Sequence, residues 1–209
     1  VGAVVDNLRV YGCKLRFIRL CEDWLKNDQP GMRVCAQRLP QTRRKGILLA
    51  VFFPDARKEN TMSDTLFITG ATSGFGEACA RRFAEAGWKL VLTGRRADRL
   101  NALVEELSKQ TEVHGLVVDV RDRKGMEDAI ANLPPSFAKL RGLINNAGLA
   151  VGTDPAPKCS LDDWETMVDT NIKGLLTTTS LLLPRLIAHG RGAGIINLVS
   201  IAGSYPYPG

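Results

Sequence analysis

Several things are scarce in this chain, and each scarcity removes a class of protein. Its five cysteines, Cys13, Cys21, Cys35, Cys79 and Cys159, are an odd number with no metal-ligand spacing among them. Three fall within residues 1–61, Cys79 sits inside a helical pattern and Cys159 is isolated, so neither a disulfide framework nor a zinc site is implied. The expected compartment is the reducing cytoplasm. The apolar stretch GILLAVFFP is far below the roughly 20 residues that a membrane span needs, and no membrane partner is expected. Residues 1–61 contain no serine but do contain acids, unlike an organellar transit peptide, and they lack the basic and apolar order of a secretory signal.

Basic charge is also missing from most of the chain, despite a pI near 9.2. Residues 1–61 hold 12 Lys+Arg against 6 Asp+Glu, whereas residues 62–209 hold 16 of each. The whole excess of +6 belongs to the leader, so the pI says nothing about a basic active site. The leader begins at Val1, and Met62 stands three residues before the first strong strand pattern. We therefore expect residues 1–61 to be a basic leader outside the fold, upstream sequence translated in frame, and residues 62–209 to form the domain. The competing reading is a basic extension that contacts nucleic acid or a partner.

What the chain does contain starts with residues 65–76, TLFITGATSGFG, a short β-branched run that stops at glycine and passes directly into a helical pattern. Glycine turns a chain sharply out of a strand and lets backbone amides approach an anion. A helix over 75–87 then aims its N–H groups and positive dipole end at that anion. Gly70, Ala71, Thr72, Ser73, Gly74, Phe75 and Gly76 are thus the candidate phosphate cradle.

From Met62 onward strand and helix patterns alternate, with strands expected at 65–69, 89–93, 113–118, 141–145 and 194–199. Runs such as KLVLT, HGLVV, RGLIN and GIINLV are short and apolar, as strands buried on both faces of a parallel sheet are. A doubly wound Rossmann-type sheet follows, with its ligand at the carboxyl ends of the strands.

Polar residues gather at those ends. In such folds an acid about 20 residues past the glycine turn binds the ribose of NAD; here the second strand ends with Arg95 and Arg96 instead. Two arginines at a helix start face the wrong end of its dipole, a cost a 2′-phosphate would reverse, so NADP is expected over NAD. Asp119 ends the third strand, either as an acceptor for the adenine amino group or as a turn residue before a helix capped by Asp122. The fourth strand ends in NNAG, where Asn146, Ala147 and Gly148 either bring backbone close to ribose and nicotinamide or make a simple turn. A long helical stretch over 161–189 puts Asn171 on one stripe with Trp164, Val168 and Leu175; either it is a buried amide that needs a polar neighbour, a water or a catalytic group, or it stands half exposed at the stripe's edge. The fifth strand delivers Ser200 at its end.

Together TGATSGFG, Asp119-Val120, NNAG, Asn171 with Gly174, and Ser200 before IAG resemble the classical short-chain dehydrogenase/reductases over residues 62–209. The resemblance implies a sheet of order 3-2-1-4-5 and a pyrophosphate held by residues 70–76. It further implies adenine at Asp119 and Val120, and nicotinamide beside Asn146, Ala147 and Gly148. Asn171 and Ser200 match two members of the family's Asn, Ser, Tyr, Lys catalytic set. The tyrosine would follow the serine by about thirteen residues and the lysine about four later, to move the proton that accompanies hydride. The chain stops at Gly209, and Tyr205 and Tyr207, flanked by Pro206 and Pro208, come too early. The expectation is a truncated dehydrogenase, inactive by itself, whose strand 194–199 is an uncovered apolar edge.

The implied activity of the whole is hydride exchange between NADP and a secondary alcohol or its carbonyl. NNAGLAVGTDPA, SLDDWETMVDTNIKGLL and SIAGSYPYPG resemble the branch that oxidises 3-hydroxy acids such as serine and allo-threonine. The family also implies a homotetramer built on helix 161–189. Two other classes stay open: a catalytically silent dinucleotide sensor, and a nucleic-acid binder acting through the leader.

Overall fold

The computed structural model describes residues 49–52, 64–152, 154–190 and 192–200. Its centre is a sheet of six strands, β1 (Leu49–Phe52), β2 (Thr65–Ile68), β3 (Lys89–Gly94), β4 (Val113–Val117), β5 (Leu140–Asn145) and β6 (Gly194–Leu198). The order across the sheet is β1-β6-β5-β2-β3-β4. The five strands after Met62 are all parallel, so counted from β2 they follow the expected order 3-2-1-4-5.

Side chains alternate across β2 and so build two cores. Leu66 and Ile68 pack with Phe83, Leu90, Leu92, Leu100 and Leu107, under α1 (Gly74–Glu85) and α2 (Ala97–Leu107). Phe67 points the other way, into Val91, Met126, Ile130, Leu143 and Leu182, under α3 (Arg123–Ala131) and α5 (Leu175–His189). A strand sealed on both faces has no polar side to offer, which is why these runs carry no alternation in the sequence. The caps are local. Asp122 Oδ1 accepts from Gly125 N at 2.9 Å and starts α3, while Gly87 takes φ +79 just past α1.

The expected helix 161–189 is unbroken but not uniform. α4 (Leu161–Val168) passes through a π turn over Asp169–Gly174 into α5. Its buried stripe is Thr170, Gly174, Thr178, Leu182 and Leu186, not the one expected; Trp164 and Val168 are 45% and 42% exposed. The reason is steric. A Cβ on Gly174 would lie 2.7 Å from Val120 Cγ2, so only a small-residue face can come this close to the chain leaving β4. Thr178 is tolerated on that face because its hydroxyl donates to Gly174 O at 2.9 Å.

The edge formed by β6 also differs from expectation. β1 pairs with it antiparallel, Leu49 opposite Leu198 and Phe52 opposite Ile195, so that edge is covered and this part of the leader belongs to the sheet. An exposed apolar edge is a template for any extended segment within reach, and backbone pairing satisfies it. The remainder of residues 1–48 and 53–63, like Tyr205 and Tyr207, lies outside the described residues.

At the amino ends of the strands a buried ion pair joins Asp64 to Arg141. Arg141 Nη1 donates to Asp64 Oδ2 at 2.7 Å, and its Nε donates to Gly192 O at 3.2 Å. His189 Nε2 lies 3.4 Å from Asp64 Oδ1, and the Arg141 guanidinium sits 5.2 Å from the Trp88 ring centre. This cluster closes the floor of the domain, at the opposite end from the polar loops.

Candidate functional site

Five loops meet at the carboxyl ends of β2 to β6, and they carry the residues singled out from the sequence. After β2, Gly70 and Gly74 adopt φ +64 and +63, the left-handed region that L side chains avoid. Ala71 N donates to Thr93 O at 2.9 Å and ties the turn to β3. Gly76 is sealed: a Cβ there would sit under 3.0 Å from both Gly70 O and Asn146 Nδ2. Above it, nothing lies within 4 Å of a Cβ built on Gly74. The turn is thus closed towards the protein and open towards solvent, and α1 starts from it with Ser73 as an N-cap whose side chain makes no capping bond. A pyrophosphate fits such a cradle, resting on backbone amides and a helix N-terminus.

The β3 end brings up its arginines in two different ways. Arg96 Nη2 donates to Thr72 Oγ1 and Ser73 Oγ, both at 3.0 Å. Gly94 permits this, because a Cβ on it would meet Thr72 Cγ2 at 2.5 Å. Arg95 reaches across to Asp119, Nη1 to Oδ2 at 3.5 Å, with 55% of its side chain exposed. Asp119 also receives Arg121, whose Nη2 donates to Oδ2 at 2.8 Å and whose backbone N donates to Oδ1 at 3.0 Å. Partial burial works to raise the Asp119 carboxyl, but hydrogen bonds from Arg121 and the charges of Arg121 and Arg95 hold it below its ordinary range. Val120 is buried behind it.

The β5 end is locked to the glycine turn by one hydroxyl. Thr69 Oγ1 accepts from Asn146 N at 2.9 Å and Ala147 N at 3.0 Å, and donates to Ile144 O at 3.5 Å. The Asn146 amide donates to Thr69 O at 3.0 Å and Gly70 O at 2.9 Å, so its side chain serves the turn. Asn171 finds its polar neighbour in main chain. It exchanges two hydrogen bonds with the backbone of Leu149, Nδ2 to O at 2.8 Å and N to Oδ1 at 2.9 Å, from an exposed position in the π turn. Gly148 lies against it, a Cβ there standing 3.3 Å from Asn171 Oδ1. Ser200 is exposed two residues beyond β6.

The sequence reading missed Thr69 and Arg121. Thr69 was legible as a hydroxyl at the last position before the glycine; Arg121, two residues past Asp119, had no signal beyond its charge. Among the described residues no cluster of His, Cys, Asp or Glu could hold a metal ion, and no helix is long and apolar enough to cross a membrane.

Sheet order and glycine turn together define a Rossmann-type α/β domain. The chain belongs to the short chain dehydrogenases, whose family model matches residues 64–209. It is 57% identical over 148 residues to sulfoacetaldehyde reductase 2 of Chromohalobacter salexigens, covering 71% of this chain and 59% of that protein. It is 55% identical over 148 residues to serine 3-dehydrogenase of Agrobacterium fabrum, covering 71% and 58%. Among solved structures, the closed form of serine dehydrogenase complexed with NADP+ matches with a TM-score of 0.64 at 47% identity, over 69% of this chain and 57% of that one. The chain thus spans under three fifths of the length of these relatives.

Proposed function

We propose that the whole protein is an NADP-dependent oxidoreductase that moves hydride between the nicotinamide and an alcohol or carbonyl, with a small 3-hydroxy acid such as serine or allo-threonine as substrate. The observation that carries this is the pair Arg95 and Arg96 at the end of β3, where a 2′-phosphate is welcome and a bare ribose diol finds no acid. The 55% identity to a serine 3-dehydrogenase supports the substrate class. When bound, the cofactor supplies or accepts the hydride.

The chain's own residues divide the remaining work. Residues 70–76 hold the pyrophosphate at the start of α1. Arg95 and Arg96, the second seated on Thr72 and Ser73, take the 2′-phosphate. Asp119 and Val120 flank adenine, and Asn146, Ala147 and Gly148 line the nicotinamide half. Ser200 holds the substrate oxygen. Asn171 grips Leu149 and so positions the nicotinamide loop, and in the whole protein it anchors a water relay to the family's lysine. Residues 1–209 contain no Tyr-x-x-x-Lys after Ser200, so this stretch alone binds the dinucleotide without turning it over.

A second reading of the substrate rests on the 57% identity to a sulfoacetaldehyde reductase. A sulfonate then takes the place of the carboxylate, and both readings share a short chain with an anion near the reacting carbon. Residues 62–209 are the functional unit, in a cytoplasmic protein without nucleic-acid or membrane partners. The exposed Leu161, Ile172, Leu176 and Ile187 on the α4 to α5 face suit a homotetramer of the whole protein.

Fluorescence titration of the purified chain with NADPH and NADH tests the cofactor choice. NADPH is expected to bind at least about tenfold tighter, a difference of about 1.4 kcal/mol. Equal affinity would overturn it.

A further inference from the structure

We propose that Arg121 is a positioning residue that sets the preference for a 2′-phosphate, acting through Asp119. This rests on the NADP reading above and assigns a residue which that reading leaves without a role.

An ionised carboxylate offers about four acceptor sites. Arg121 uses them almost completely: N to Oδ1 at 3.0 Å, Nε to Oδ1 at 3.2 Å, Nε to Oδ2 at 3.1 Å and Nη2 to Oδ2 at 2.8 Å. Arg95 has a single ion-pair contact with the same group, at 3.5 Å. The carboxylate is therefore satisfied by a neighbour two residues away on its own loop, and Arg95 keeps most of its donors for something else. Arg96 meanwhile is tied down on Thr72 and Ser73.

Without Arg121 the balance reverses. Asp119, left without its neighbour's donors, would draw Arg95 from its single contact into a bidentate pair, the strong form of this contact. A phosphate dianion would lose that cation. A ribose hydroxyl, which does not need a cation, would lose nothing.

The test is calorimetric titration of the full chain with 2′,5′-ADP and with 5′-AMP, two probes that differ by the one phosphate and need no turnover. The wild type is expected to prefer 2′,5′-ADP. Arg121→Met, and Arg121→Gln as a second variant, should lower that preference at least about tenfold by weakening 2′,5′-ADP, with 5′-AMP unchanged or tighter. Adding Asp119→Asn to Arg121→Met removes the freed carboxylate and should restore much of the preference. A parallel loss for both probes, an unchanged ratio, or failure of the double variant to recover it overturns the proposal. A wild type that binds both probes equally overturns the NADP reading itself, and the two failures are told apart by which protein shows them.

Discussion

Gly76→Ala tests the glycine turn most directly, because a second glycine in the same turn serves as its control. At Gly76 the added methyl would sit under 3.0 Å from Gly70 O, which is backbone, and from Asn146 Nδ2, which donates to that same oxygen at 2.9 Å. Neither can yield cheaply. Overpacking of this kind costs about 1–3 kcal/mol, and losing the Asn146 hydrogen bond adds about 1 kcal/mol. The expected destabilisation is therefore about 2–4 kcal/mol, or about 1–2 M in a urea midpoint at a slope near 2 kcal/mol per M. At Gly74 there is no steric obstacle within 4 Å, only φ +63, so Gly74→Ala should cost about 1–2 kcal/mol in backbone strain. Urea unfolding of the two variants, with 2′,5′-ADP titration of each, measures both effects. If Gly76→Ala proves no more costly than Gly74→Ala, or leaves nucleotide binding intact, the sealed-turn argument is wrong.

Two further outcomes follow from charges at opposite ends of the domain. Arg141→Ala takes the guanidinium away from Asp64 in the floor of the fold, where the two side chains are 8% and 4% exposed, and should destabilise by about 3–5 kcal/mol in thermal unfolding; a change under about 1 kcal/mol would mean that other groups, or water, serve the carboxylate. The Asp119 carboxyl is held below its ordinary range, so its contribution is complete above about pH 4 and is lost as pH falls through the depressed value. Denaturation of wild type and Asp119→Asn from pH 2 to 7 should show a gap of under about 1 kcal/mol at neutrality, because the pair is only partly buried and is screened by solvent, that closes in acid. A gap that widens in acid contradicts the sign.

Strand positions were legible because doubly buried strands write themselves as unbroken apolar runs. KLVLT became β3 and RGLIN became β5 within a residue of expectation. The long helix was legible in extent but not in orientation. Hydrophobicity pointed to Trp164 and Val168, whereas the buried face depends on Gly174 and Thr178, which pack by being small and by bonding their own hydroxyl. Asn171 was expected as a buried amide in need of a partner; it is exposed and its partner is the backbone of Leu149, and sequence carries no record of which main-chain groups meet. The β1–β6 pairing was illegible for the same reason, being a contact of backbone with backbone between residues 143 to 149 positions apart in the chain.

Thr69 has one hydroxyl, and all of it is in use. Its donor goes to β5 and its two acceptor positions hold the two successive amides that begin the loop after that strand. The glycine turn and the Asn146 loop consequently stand at a separation set when the chain folds and not when a ligand arrives. A long, jointed molecule laid across both would meet a ruler already cut to length, so the entropy of ordering that span is charged to folding and not to binding.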